Sequence, residues 1–436
     1  MSKVLIITYY WPPSGGAGVQ RWLKFVKYLR NFGWEPVIYT PFNPEFPVID
    51  ATLAKDIPNG IEVIRTPIWE PYAFYKKITG KKSNAQINSG ILNEIRTPGL
   101  FERLSVWIRG NLFIPDARKF WINPSVRFLI KYLKENPVDA IVSTGPPHSM
   151  HLIALNLKKR LNIPWLADFR DPWTDIDYYK DMKISAFADK KHKRLELQTI
   201  TNCDAMVVVS QEMKVNYEKM GGNNVHLITN GFDPDDMEIK DVVPDSKFSV
   251  SHIGSLPPGQ NLKGLWQVLS ELGDTLPSFR SDLEIKLVGK VDQSILDDIS
   301  VFNLSDLLTR IDYVDHDKVA LLMKQTAVLL LVINKDSPNA KGILTGKFFE
   351  YLASGRPILA IGPTDGDLAG ILKETQAGFI SEYDDLESIK KIVLEMYERY
   401  LQSNLTNNLK GIGKYSRNDL TAELSVILNQ IIHRKK

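Results

Sequence analysis

The chain has 436 residues and almost no cysteine, since Cys203 stands alone. An internal disulfide framework is therefore excluded, and one thiol with seven scattered histidines offers no zinc-binding set. A lone thiol fits a reducing compartment, so the expected location is the cytoplasm. Long apolar runs are also missing. The opening MSKVLIITYYWPP has neither the apolar stretch nor the cleavage site of a signal peptide, and AVLLLVI at 327–333 is far too short to span a bilayer.

Overall charge is small as well, net +3, but it is unevenly placed. Lys and Arg outnumber Asp and Glu by 31 to 24 over residues 1–236 and fall short by 23 to 27 over 237–436, giving +7 and −4. The excess gathers in residues 76–134, with 12 basic and 3 acidic side chains. No RNA- or DNA-binding motif accompanies it, so nucleic acid is not expected as a partner.

What is present is an ordinary globular composition, 44% hydrophobic and 24% charged, on a chain too long for one core. The strand KVLIITYY leads into WPPSGGAG and then a helix from about Val19 to Phe32. Its Trp22, Phe25, Val26 and Leu29 recur at helical spacing, and Gly33 follows as a C-cap. Strands EPVIYT, IEVIRT, DAIVST, PWLADF, AMVVVS and VHLIT alternate with helices near 149–161, 185–202 and 211–220. A Gly/Pro/Asp-rich stretch beginning TNGFDPDD reads as a linker, after which the alternation restarts at KFSVSHIG. This pattern predicts an α/β protein of two tandem Rossmann-like domains, over 1–236 and 247–414, with a last helix within 415–436 that could return to the first.

Ligands of parallel α/β sheets lie beyond the carboxyl ends of strands, so the loops there are the candidate sites. Gly15, Gly16 and Gly18 remove side chains where a backbone comes close to a ligand and offer amide donors to an anion, with a tight turn as the alternative. His148 follows two prolines directly after a strand. Asp168 and Asp171 flank Arg170, an arrangement that suits acceptor contact or an internal ion network. Lys263, before Gly264 at a helix start, suits a diphosphate. In LTGKFFEYLASG, Thr345 and Gly346 precede Lys347 and Glu350, three apart and so on one helix face. They could pair with each other, or offer a cation and an acceptor-only carboxylate to a diphosphate and a vicinal diol. The DID triplet at 175–177 is read as chance rather than as a metal site.

These features together resemble the retaining glycosyltransferases of family 4. The resemblance runs along almost the whole chain, through the glycine-rich loop, AMVVVS, ITNGFD, HIGS, Lys263 with Gly264, and most specifically KFFEYLASGRPILA. It implies the GT-B fold of two Rossmann-like domains facing a cleft, with the donor mainly on the second domain and the acceptor mainly on the first. It further implies metal-independent transfer without a bound cofactor, from a nucleotide-diphosphate sugar to a glycan or lipid-linked acceptor, in cell-surface polysaccharide synthesis.

Under the resemblance His148, Lys263, Lys347 and Asp171 become the candidate catalytic residues, and Glu350 holds the ribose hydroxyls. The loop Tyr313–Val314–Asp315 would read the base. Two positions depart from the family pattern: Gly342 stands where a first glutamate contacts the donor sugar, and Ser255 where many relatives have arginine. The apolar and basic residues of 76–134, among them Phe101, Leu104, Trp107, Ile108, Leu112 and Phe113 with Arg103 and Arg109, suit either an anionic membrane face or packing into the first domain. A sugar-nucleotide epimerase and a non-catalytic nucleotide-sugar-binding protein are the alternatives.

Overall fold

The computed structural model describes residues 1–46, 48–71, 100–239, 241–312, 314, 316–405 and 409–434. Two compact units result, Met1–Thr229 with Arg417–Lys436, and Asn230–Ser416.

In the first unit the strands are β1 (Ser2–Ile7), β2 (Trp34–Pro41), β3 (Glu62–Thr66), β4 (Ala140–Gly145), β5 (Trp165–Phe169), β6 (Ala205–Val208) and β7 (Val225–Leu227). They form a parallel sheet in the order β3-β2-β1-β4-β5-β6-β7. The helices are α1 (Ala17–Leu29), α2 (Leu100–Leu112), α3 (Lys119–Glu135), α4 (Ser149–Leu161), α5 (Ala186–Asn202) and α6 (Gln211–Lys219). Strand β4, and β1 from Val4 onward, are buried on both faces, which is why their sequences read as apolar runs rather than as alternation.

The second unit repeats the scheme with β8 (Phe248–Ile253), β9 (Leu283–Val288), β10 (Leu308–Ile311), β11 (Val328–Val332), β12 (Ile358–Ile361) and β13 (Gly378–Ser381), ordered β10-β9-β8-β11-β12-β13. Around it lie α7 (Lys263–Thr275), α8 (Pro277–Asp282), α9 (Gln293–Val301), α10 (His316–Gln325), α11 (Gly346–Ser354), α12 (Asp367–Thr375) and α13 (Leu386–Leu401). Each sheet reverses its winding once, between β1 and β4 and between β8 and β11. A ligand crevice forms at such a reversal, because the loops from the two neighbouring strands leave to opposite faces.

The stretch from 229 read as a linker belongs, from Asn230 on, to the second unit, which the chain enters there rather than after 236. Phe232 and Met237 pack into that unit's core, and the Phe232 amide donates to the Tyr415 carbonyl at 3.1 Å. Tyr415 is buried in the same core, so the return to the first unit begins at Arg417 rather than 415. The returning helix, α14 (Arg417–His433), buries Leu420, Leu424, Ile427, Leu428 and Ile431 with Trp22, Phe25 and Leu29 of α1. At about 1.5–3 kcal/mol for each large apolar side chain removed from water, that seam is a major part of the first unit's stability.

Candidate functional site

In the second unit the site is built at the β8/β11 reversal. Strand β8 leads directly into Gly254, whose φ of +128° is strained for any residue with a side chain. A Cβ there would lie 2.4 Å from the Lys347 Nζ, so the amine occupies the space that a side chain would need. Gly289, after β9, has φ +105°, and its Cβ would lie 2.9 Å from the Gly254 carbonyl oxygen. Two glycines at adjacent strand ends thus open the floor on which Lys347 rests.

Helix α11 is fixed over this floor. The Thr345 hydroxyl accepts from the Phe348 amide at 3.3 Å as an N-cap, and Tyr351 Oη accepts from the Ile253 amide at 2.9 Å. Around Gly346 nothing stands within 4 Å of where a Cβ would be, which leaves the first helical turn open. Lys347 Nζ lies 3.2 Å from His252 Nε2. Burial draws the ammonium's pKa down to about 8, against the supporting charge of Glu350 one turn along. A partly dehydrated cation beside the positive end of a helix is equipped to receive an anion.

The other residues named from sequence in this unit are spread around that centre. Ser255 is exposed just beyond Gly254. Lys263 opens α7, and its ammonium lies 3.3 Å from the Asp298 carboxylate of α9 with the side chain largely in solvent. Gly342 is buried at the end of the 3-10 turn Ala340–Gly342. Val314 packs on the core, whereas Tyr313 lies outside the described residues.

The first unit has a second concentration of polar groups at the β1/β4 reversal. Its glycine loop is held tightly: the Gly15 amide donates to Val48 O at 2.9 Å, and Gly16 adopts φ +86°. Arg170 clamps this loop to the end of β4, donating to Gly18 O at 2.6 Å, to Gly145 O at 3.4 Å and to Pro146 O.

Asp168 is fully buried on β5. It accepts from Arg21 at 2.9 Å, from Trp22 Nε1 at 2.6 Å and from Thr144 Oγ1 at 2.7 Å. Burial alone would raise its pKa, but the Arg21 charge and these hydrogen bonds together hold the carboxyl below the usual range. The acceptor-side reading of Asp168 and Arg170 is corrected accordingly, because both spend their polar atoms inside the unit. The network reading holds, with Arg21 rather than Arg170 as the hydrogen-bonded partner of Asp168.

His148 and Asp171, by contrast, line a cavity of about 260 Å³ together with Tyr10, Arg109, Arg118 and Trp173. His148 immediately precedes α4 and stacks on Trp173, ring centroids 4.4 Å apart and planes 4° apart. Its Nδ1 is buried and has no hydrogen-bond partner. Burial first, then the neighbouring His151, His192 and Arg170, push its pKa well down, so the ring is neutral and can accept a hydrogen bond. Arg118 is held at 3.0 Å from Glu70 and at 3.2 Å from Tyr9 Oη.

His252, Gly289, Trp173 and Arg118 were not singled out from sequence. The string HIGS contains His252, but nothing in it says which side chains share a wall. Among the described residues no group of three His, Cys, Asp or Glu side chains is disposed to hold a metal, and no helix is long and apolar enough to cross a membrane.

Residues 95–236 match the model of the family described as Glycosyltransferase Family 4. No curated protein matches the chain in sequence. Among solved structures, sucrose-phosphate synthase from Thermosynechococcus elongatus is similar over 100% of this chain and 99% of its own, at TM-score 0.61 and 16% identity. HepE of Anabaena, solved in complex with UDP-glucose, is similar over 100% and 99%, at 0.57 and 13%. A putative UDP-N-acetylglucosamine 2-epimerase from Listeria monocytogenes is similar over 100% and 97%, at 0.55 and 10%.

Proposed function

We propose that this GT-B glycosyltransferase, with its family 4 match over residues 95–236, moves a sugar with retention from a nucleotide-diphosphate sugar to a glycan or lipid-linked acceptor in cell-surface polysaccharide synthesis. The observation that carries the reading is the glycine-floored site of the second unit, where Lys347 stands beside the open first turn of α11 with Glu350 one turn along. There the ammonium and the helix amides face the donor diphosphate, and the Glu350 carboxylate accepts from the ribose hydroxyls. The UDP-glucose bound to HepE, a protein of the same fold, supports a nucleotide-sugar as the donor.

In the reaction the acceptor oxygen bonds to the anomeric carbon as the bond from that carbon to the phosphate oxygen breaks, and the acceptor proton passes to the departing diphosphate. Lys347, with Lys263 swung from Asp298, offsets the charge that develops on the diphosphate, the moment at which preorganised donors act most strongly. The cavity of the first unit takes the acceptor, with neutral His148 accepting a hydrogen bond from a hydroxyl and Asp171 at its edge.

Release of nucleoside diphosphate that depends on acceptor is the test, assayed over a panel of nucleotide-sugars with EDTA present. Turnover is expected to persist in EDTA, and its abolition with recovery on added manganese would count against a metal-independent mechanism. Conversion of the nucleotide-sugar without acceptor would instead favour the epimerase reading that the Listeria structure keeps in view.

The stretch that leads into the cavity supports a lipid-linked acceptor. Leu104, Trp107 and Leu112 are exposed on α2, Phe120 packs exposed against Trp69 at 4.8 Å, and Lys119 lies over the Phe120 ring. Arg109 and Phe113 of the same stretch line the cavity. Apolar rings with cations at their edge suit an anionic membrane face and a lipid-linked acceptor, each basic group near such a surface contributing about 1 kcal/mol. Residues 76–99 of the basic segment lie outside the described residues. Flotation with anionic liposomes is expected, reduced by salt and by Trp107→Glu; equal recovery with neutral liposomes would exclude an electrostatic membrane contact.

A further inference from the structure

His252 is an unusual neighbour for a lysine that meets a diphosphate. It lies on β8, is buried, and faces three polar groups: Leu330 O of β11 at 3.1 Å from Nδ1, and Ser255 O at 3.3 Å and Lys347 Nζ at 3.2 Å from Nε2. The carbonyl of Leu330 can only accept, so Nδ1 carries a proton. A second proton on the ring is strongly disfavoured, by burial first and by the Lys347 charge next, against the help of the two carbonyls, and the imidazole pKa falls to about 3. Nε2 therefore presents a lone pair, and its natural donor is the Lys347 ammonium rather than the Ser255 carbonyl.

The result is a chain from a sheet carbonyl, through a neutral imidazole of fixed tautomer, to an ammonium seated on the Gly254 floor.

We propose that His252 is a positioning residue that holds Lys347 in place through Nε2, and that the pair makes binding of the donor's diphosphate take up a proton. The proposal rests on the reading of this site as the diphosphate site. The groups that face the ammonium are His252 from β8 and Glu350 from its own helix. With burial acting against the single supporting charge of Glu350, the free protein loses the lysine proton within the near-physiological range, at a pKa of about 8. A bound diphosphate adds negative charge at the amine and raises that pKa, so a fraction of free molecules must acquire a proton when they bind. The sign follows: affinity is highest below pH 8 and falls as pH rises through it. The ligand's own phosphate ionisation, with a second pKa of about 6, is complete in that range.

Calorimetry of UDP, GDP and ADP, in two buffers of different ionisation enthalpy, tests this on the full chain. For the nucleotide that binds, uptake of about half a proton at pH 8 and about a fourfold loss of affinity from pH 7.0 to 8.5 are expected, the protonated fraction of a group with pKa 8 over that interval. Lys347→Met should bind more weakly and abolish both the uptake and the pH dependence. His252→Leu, which removes the acceptor, should move the midpoint to lower pH, and His252→Gln, whose Oε1 can accept, should restore it.

If a nucleotide binds with no buffer-dependent heat and a flat pH profile, the proton linkage is overturned while the donor site stands. Uptake that survives in Lys347→Met, or a midpoint unmoved in folded His252→Leu, overturns the assigned pair. Failure of all three nucleotides to bind overturns the donor reading and this inference with it.

Discussion

Replacing Asp168 by alanine is expected to lower the stability of the first unit by about 3–5 kcal/mol, the usual cost of breaking a buried ion pair from one side. The substitution strands the Arg21 guanidinium, which is 1% exposed and otherwise held by the carbonyls of Ile228 at 2.8 Å and Thr229 at 2.7 Å. It also leaves Trp22 Nε1 and Thr144 Oγ1 without their acceptor. Because Arg21 belongs to α1, Asp168 to β5 and Thr229 to the last residues before the second unit, one carboxylate ties three distant parts of the chain together.

Asp168→Asn, which keeps an acceptor oxygen but loses the charge, should cost less. Urea unfolding followed by tryptophan fluorescence reads the effect, since of the nine tryptophans only Trp266 falls between Asn230 and Ser416. An Asp168→Ala protein of unchanged stability but raised acceptor KM would restore the acceptor role that the burial argues against.

Glu350→Ala is expected to raise the donor dissociation constant at least about tenfold, equivalent to about 1.4 kcal/mol. Hydrogen bonds to a charged partner contribute roughly 1.5–3 kcal/mol each, and a carboxylate oriented toward a vicinal diol accepts two. The side chain is only half-buried on α11, so the variant should fold normally, and the loss should appear in affinity rather than in melting temperature. Glu350→Gln, an isostere with one acceptor oxygen, should fall between. Calorimetry with the nucleotide-sugar checks both, and unchanged affinity in Glu350→Ala would remove this residue from the donor site.

The expected resemblance to family 4 and the GT-B fold class are borne out by the match over 95–236 and by the parallel sheets of seven and six strands among the described residues. Strand and helix positions were legible because buried parallel strands must be apolar on both faces and helices must repeat near 3.6 residues, and both leave periodic marks. α4, α5 and α6 fall within a residue or so of the expected 149–161, 185–202 and 211–220. Where a unit begins was less legible. TNGFDPDD has the composition of a linker, yet Phe232 and Met237 bury themselves in the second core, and composition carries no information about such a contact.

The sequence by itself determined which loops follow strands, and so where Lys347, Glu350, His148 and the glycines fall along the chain, because those positions depend on spacing between neighbours. Only the tertiary structure decided which of these side chains meet. Asp168 finds Arg21 from 147 residues away, and His252 finds Lys347 from 95 residues away. Asp168 and Asp171, three positions apart, differ for the same reason: one ends inside β5 among donors and the other on a cavity wall. Local pattern fixes the element, whereas the fate of a charge depends on what the folded chain brings near it and on how far water is excluded there.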